Sequence, residues 1–293
     1  MLLIIATALL PAFILGWWIY RKDSLRPEPL KQLYMAFFYG VGSAFVSLVI
    51  SVLLGLMGVL VVDLGSFSGA VSTALFSAAI PEEVAKLTML WLVLRKNPYY
   101  DEYFDGIIYA ACIGLGFAGA ENILYLLKSE DWLMTGIIRG VTAVPAHFAM
   151  ACAMGYFYSK RHFGDKKTLT MVCILAVPML IHWLWDVLAF SGGIYPALSV
   201  VVNILLVVLI YFLYKSTKRH ITELQKLDQA RMTPPPFDGN TPSTFPPYNG
   251  TMPPTYPPIS GTMPSQQPPP VVGNTPPTVP PKRDDSNNTM PIS

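Results

Sequence analysis

From Met1 to Tyr214 the chain is a succession of apolar runs of bilayer length separated by short polar stretches, and this constrains the fold more than any single motif. In lipid a backbone must satisfy its own N–H and C=O groups, so each run reads as a helix. Runs at 1–20, 34–62, 68–94, 105–127, 132–158, 168–190 and 194–214 predict an all-α polytopic membrane bundle of about seven transmembrane helices. Only 13% of the 293 residues are charged and 53% are hydrophobic, whereas a soluble domain carries about 25% charge. The net charge of +2 excludes a nucleic-acid partner of the usual basic kind, and the first partner is the lipid bilayer.

The basic residues set the expected orientation. No basic residue precedes the first run, whereas Arg21, Lys22, Arg26 and Lys31 follow it, the reverse of a cleavable secretory signal. A retained first helix with its N-terminus outside places Arg95, Lys96, Lys160, Arg161, Lys166, Lys167, Lys215, Lys218 and Arg219 on the cytoplasmic side, with Lys128 alone in the outer loops. The chain is thus expected in the cell membrane as a multi-pass protein with a cytoplasmic C-terminal tail. Cys112, Cys152 and Cys173 all fall in apolar runs and read as reduced core residues.

Composition divides the chain into a helical membrane domain at 1–215, a polar juxtamembrane segment at 216–231 and a tail at 232–293. Of 27 prolines, 19 lie after residue 232, which predicts a disordered, polyproline-like tail. Thr244–Pro254 and Thr255–Ser265 form an imperfect repeat within it. The tail is either a solvated extension or a docking arm for a tail-binding protein.

Charges inside the runs mark the candidate site. Pro81-Glu82-Glu83-Val84-Ala85-Lys86 sets three charges in five residues within 68–94, although a charge at mid-membrane costs about 2.5 to 3.5 kcal/mol. Helical spacing puts Glu82 and Lys86 on one side, on a row with Ala70, Ala74 and Ala78, and turns Glu83 away by about 100°. Glu82 is therefore expected to face the bundle interior. Glu121 and Asn122 follow a ridge of Gly106, Ala110, Gly114 and Ala118; His147 shares a row with Arg139, Ala143, Ala151 and Gly155; His182 and Asp186 share a face. Structural pairs of Glu82 with Lys86, Glu121 with Arg139 and His182 with Asp186 are the plainer reading. Intramembrane hydrogen bonds contribute only about 0.6 kcal/mol each, so a polar cavity explains so many ionisable groups more economically. From their depth in the runs, Glu82 and His147 are expected near mid-membrane and the others in the outer half, with the cavity opening outward.

These residue types suit peptide hydrolysis by an activated water. A glutamate, Glu82 in preference to Glu83, serves as general base, while His147 and His182 orient the water or steady the oxyanion, to which Asn122 could also donate. Lys86, Glu121, Arg139 and Asp186 set the local field. No serine or cysteine is paired with a base, so covalent catalysis is disfavoured. Glu with two His is also a zinc ligand set, but there is no HExxH motif; glutamate-activated water without metal or cofactor is the preferred expectation, with a metal-assisted version as the alternative. A proton-coupled transporter and a non-enzymatic membrane scaffold or receptor are the competing classes. No internal repeat supports the transporter.

At these residues the chain resembles the PrsW family of intramembrane proteases, within the wider glutamate-dependent group that includes the CAAX prenyl endopeptidases and bacteriocin self-immunity proteins. The matches are Glu82-Glu83 with Lys86, Asp105-Gly106 leading through Phe117 to Glu121-Asn122, the region of His147, and His182 with Asp186, over residues 68–190. The CAAX branch has histidine where this chain has Glu121 and asparagine where it has Asp186. The resemblance implies a site-1 type cleavage of a single-pass anti-sigma factor on its outer side.

Overall fold

A computed structural model describes residues 1–23, 25–59 and 62–232, and the Pro-rich tail lies outside the described residues. The described chain is helical: α1 (Leu2–Tyr20), α2 (Leu30–Leu56), α3 (Phe67–Thr73), a π-helical turn (Ala74–Ala79), α4 (Ile80–Leu94), α5 (Tyr103–Lys128), α6 (Trp132–Val141), α7 (Ala143–Phe163), α8 (Thr168–Ile194), a 3₁₀ turn (Pro196–Leu198) and α9 (Ser199–Met232). Among the described residues six stretches are long and apolar enough to cross a membrane: Leu2–Tyr20, Leu30–Leu56, Tyr103–Lys128, Trp132–Phe163, Thr168–Ile194 and Pro196–Met232. The remaining apolar run is the charged one, Phe67–Leu94.

Helix α5 is the axis of the bundle, buried along most of its length and packed against α1, α2, α4 and α7. Its small-residue ridge allows this, because the matching ridge on α7 lies directly against it. A Cβ on Gly155 would run into the Gly106 carbonyl, and one on Gly114 would meet the Ala151 methyl. We expect Gly155→Val to cost about 1 to 3 kcal/mol through overpacking between two backbones that cannot move apart independently. A matched thermal-unfolding comparison in detergent checks this, and an unchanged Tm would contradict it.

Two expectations from helical periodicity need correction. Residues 68–94 do not form one regular helix: the π turn inserts an extra residue, so Ile80 N–H bonds to Leu75 O, five positions back. The buried stripe consequently runs Ala70, Ala74, Ala79, Glu83, Lys86 in place of Ala70, Ala74, Ala78, Glu82, Lys86. Glu83 becomes the fully buried glutamate, and Glu82 moves to the rim. The 132–158 run is also divided, at Thr142, whose φ of −121° and ψ of −73° end α6 and start α7. α7 has 21 residues, a length of about 30 Å at 1.5 Å per residue, enough to cross by itself. His147 therefore lies in the second turn of that helix, nearer its end than its middle.

The polar segment after residue 215 continues α9 without interruption and packs against α5 and α7. Asp228 accepts the backbone N–H groups of Tyr103 (2.7 Å) and Phe104 (2.9 Å), capping the N-terminus of α5 from 124 positions away. Around this end lie further buried acids. Asp23 accepts the Glu28 amide, Glu28 accepts the Tyr109 hydroxyl, and Asp105 accepts the Glu102 amide. Arg26 reaches Asp101 at 3.1 Å and Glu102 at 3.5 Å.

Burial raises the carboxyl of Asp23 to about 6 and those of Glu28 and Glu102 to about 7. Each folded value exceeds its unfolded one, so the contribution to stability is complete at pH below about 4 and is lost as pH rises through 6 to 7. We expect the Tm in detergent to fall between pH 5 and pH 8, and Glu28→Gln to flatten that fall. A Tm that rises over this interval would contradict the burial argument.

Candidate active site

Five helices deliver the polar side chains to one place. α4 brings Glu82, Glu83 and Lys86; α5 brings Glu121 and Asn122; α6 brings Arg139; α7 brings His147; α8 brings His182 and Asp186. All nine residues singled out in the sequence belong to this connected network. It sits toward the bundle end where α5 passes into α6, opposite the end where Arg26 and Arg231 bond at Asp101.

Lys86 is the hub. Its ammonium donates to Glu83 Oε1 (2.8 Å), to His147 Nδ1 (3.1 Å) and more weakly to Glu82 Oε2 (3.5 Å), so three N–H groups meet three acceptors. The Phe117 ring covers it at 4.0 Å. Phe117 was not among the expected site residues; its signal was a place one turn before Glu121 on the same face. Since Lys86 donates to Nδ1, His147 carries its proton on Nε2 and donates to Glu121 Oε2 at 2.9 Å. Arg139 holds the same Glu121 oxygen at 2.8 Å and Asn122 Oδ1 at 2.8 Å, with its guanidinium 3.7 Å above the Tyr125 ring. Asn122 in turn donates to Ala8 O at 3.4 Å, which engages it in structure.

His182 lies between carboxylates. Its Nδ1 donates to Glu83 Oε1 at 2.8 Å, while Nε2 faces Asp186 at 3.4 Å and Glu82 at 3.7 Å. The two imidazoles meet edge to face, 5.2 Å between centroids. The expected pairs of Glu121 with Arg139 and His182 with Asp186 therefore exist, whereas the short partner of Lys86 is Glu83.

Exposure divides the site into a floor and a rim. The side chain of Glu83 is 0% exposed and that of Lys86 2%, whereas Glu82, Asp186, Arg139 and Glu121 lie between 14% and 20%. The floor is thus a fixed ion-paired frame. Rim carboxylates at partial exposure can meet water and substrate.

Three donor groups lie close enough together to share a metal ion. One ligand atom each from Glu82, His147 and His182 lie within 4.8 Å of one another. Glu83 on His182 and Glu121 on His147 occupy the carboxylate positions that orient metal-bound imidazoles. Glu83 Oε2 is buried with no hydrogen-bond partner among the described residues. For His147 to offer Nδ1 to an ion, Lys86 must give up its 3.1 Å bond.

Ionisable side chains gathered from five helices inside an apolar bundle, with a buried frame and a partly exposed rim, form a membrane-embedded polar site of the kind that hydrolysis by activated water requires. The chain belongs to the PrsW family: the model described as PrsW family intramembrane metalloprotease matches residues 28–214. Among its relatives, Protease PrsW of Clostridioides difficile (strain 630) is 35% identical over 184 residues, 61% of this chain and 76% of the relative. Protease PrsW of Geobacillus kaustophilus (strain HTA426) is 30% identical over 184 residues, 62% and 78% of the two chains. Protease PrsW of Bacillus subtilis (strain 168) is 30% identical over 206 residues, 69% and 90%. No solved structure matches the chain. The protein is an intramembrane protease, and these likenesses leave the transporter and scaffold readings without support.

Proposed function

We propose that this protease hydrolyses a peptide bond of a membrane protein near the outer face of the cell membrane, with water activated at Glu82. The observation that carries the reading is the approach of Glu82 to His147 and His182 at the partly exposed rim of an otherwise closed ion-paired frame. Glu82 takes the proton of the attacking water and returns it to the leaving amine. His182 Nε2 lies 3.7 Å from the Glu82 carboxylate, an ion-pair contact when the imidazole is protonated. Lys86 and Arg139 set the local field with positive charge around these groups. Asp186 holds His182, and Glu121 fixes the tautomer of His147. If a metal were bound, Glu82, His147 and His182 would hold it, and it would take over from Glu82 the activation of water, as a Lewis acid that lowers its pKa.

In this reading the N-terminus lies outside, and the basic end of the bundle and the tail lie in the cytoplasm. Support comes from the placement of the site at the α5–α6 end, away from the basic connections. An anti-sigma factor cut in a site-1 type step is the substrate that the family resemblance suggests. Mapping new N-termini on membrane proteins in cells carrying wild type or Glu82→Gln at matched abundance tests the activity and names the substrate. Termini that persist in the variant would overturn the assignment of Glu82. Membrane-impermeant thiol labelling of single cysteines at Ser129 and at Arg95 tests the orientation: only the first should react from outside.

A further inference from the structure

The glutamates depend on a turn that the helix cannot hold by itself. In α-helical register the amide of residue 81 would bond to Ser77 O, and in π register to Phe76 O. Residue 81 is proline and has no N–H to give. The defect lies at Ala74–Ala79, immediately before Glu82 and Glu83, in a segment where lipid offers no replacement donor. One comes from α2. Ser51 Oγ lies 3.2 Å from Ser77 O and 3.0 Å from its own helix at Ser47 O, so its single proton is shared between the two carbonyls. On the opposite side Trp183, the residue after His182, donates from Nε1 to Val71 O at 3.0 Å, one turn before the defect.

We propose that Ser51 is a positioning residue for the glutamate pair: its hydroxyl supplies the hydrogen bond that Pro81 cannot make, and so holds the π turn that puts Glu83 in the floor and Glu82 on the rim. Without it Ser77 O loses its donor and the turn loses its tie to α2, which frees the segment to change register. One residue of slip would turn both carboxylates by about 100° on the helix surface. Their meeting with Lys86 and His182 depends on that angle. The structural part of this inference stands apart from the proposed chemistry, while its effect on cleavage rests on Glu82 acting at the rim.

The test uses the full chain in detergent micelles and follows amide hydrogen exchange across residues 76–86. Ser51→Ala is expected to speed exchange there by about fivefold to tenfold, the worth of one net hydrogen bond, with α5 unchanged. Ser51→Thr, which keeps the hydroxyl, is expected to restore slow exchange. Pro81→Ala gives the carbonyl a backbone donor again, so Ser51→Ala in that background should add nothing. Exchange in Ser51→Ala equal to wild type, or an equal increase in the Pro81→Ala background, would overturn the proposal. In cells, Ser51→Ala should reduce the Glu82-dependent N-termini several-fold and Ser51→Thr should restore them. If wild type yields no such termini, the proposed reaction fails, and the exchange result still decides the role of Ser51.

Discussion

Glu82→Gln is expected to lower the rate of cleavage by about 10²- to 10⁴-fold, the range that a positioned general base contributes, and to leave the fold intact. The geometry separates the two effects. Glu82 touches Lys86 and His182 only at 3.5 and 3.7 Å, and its side chain is 14% exposed. An amide of the same shape disturbs little there, and the Tm should stay within a few degrees of wild type. Glu83→Gln is the control with the opposite signature. Glu83 is fully buried and bonded at 2.8 Å to both Lys86 and His182, so its substitution should act on stability as well as on rate. Single-turnover cleavage of the substrate found by terminal mapping, together with Tm, distinguishes them. A fully active Glu82→Gln beside a folded but dead Glu83→Gln would move the base to Glu83.

Lys86→Met should destabilise the protein by about 3 to 5 kcal/mol, the cost of leaving a buried charge without its partner. Glu83 would keep only His182, with its second oxygen already unpartnered among the described residues, and His147 Nδ1 would lose its donor. Because the cost comes from the stranded carboxylate, adding Glu83→Gln to Lys86→Met should recover much of it, which an additive pair would not do. Denaturant unfolding in micelles of wild type, both single variants and the double variant measures this coupling. A Lys86→Met protein within 1 kcal/mol of wild type, on the order of one exposed ion pair, would show the pair to be far less buried than its geometry indicates.

Much of this was legible in the chain alone, for reasons that are local. Apolar runs of bilayer length dictate helices because lipid leaves the backbone no other partner. The ridge of Gly106, Ala110, Gly114 and Ala118 on α5 and that of Ala143, Ala151 and Gly155 around His147 read directly as close-packing faces, and the two ridges do meet. Ionisable residues at membrane depth stand out for their cost, so the nine polar positions could be picked before any contact was known. Spacing of four also paired His182 with Asp186 correctly, since both sit on one uninterrupted helix.

What spacing misplaced lies where a helix stops being regular. A period of 3.6 carried across Ala74–Ala79 puts Glu82 in the interior, whereas the π turn counts one residue more and puts Glu83 there. Nothing in residues 68–94 alone announces that turn; Pro81 weakens the helix, but Ser51 from α2 bonds Ser77 O within the turn, and Trp183 from α8 bonds Val71 O just before it. The same holds for Asp228 on the amides of Tyr103 and Phe104 and for Lys86 between Glu83 and His147. Residue order therefore settled which groups are buried in the membrane and along which helices. Which oxygen meets which nitrogen, and which glutamate faces water, was left to contacts between helices far apart in the chain, because a hydrogen bond depends on tenths of an ångström that no single helix controls.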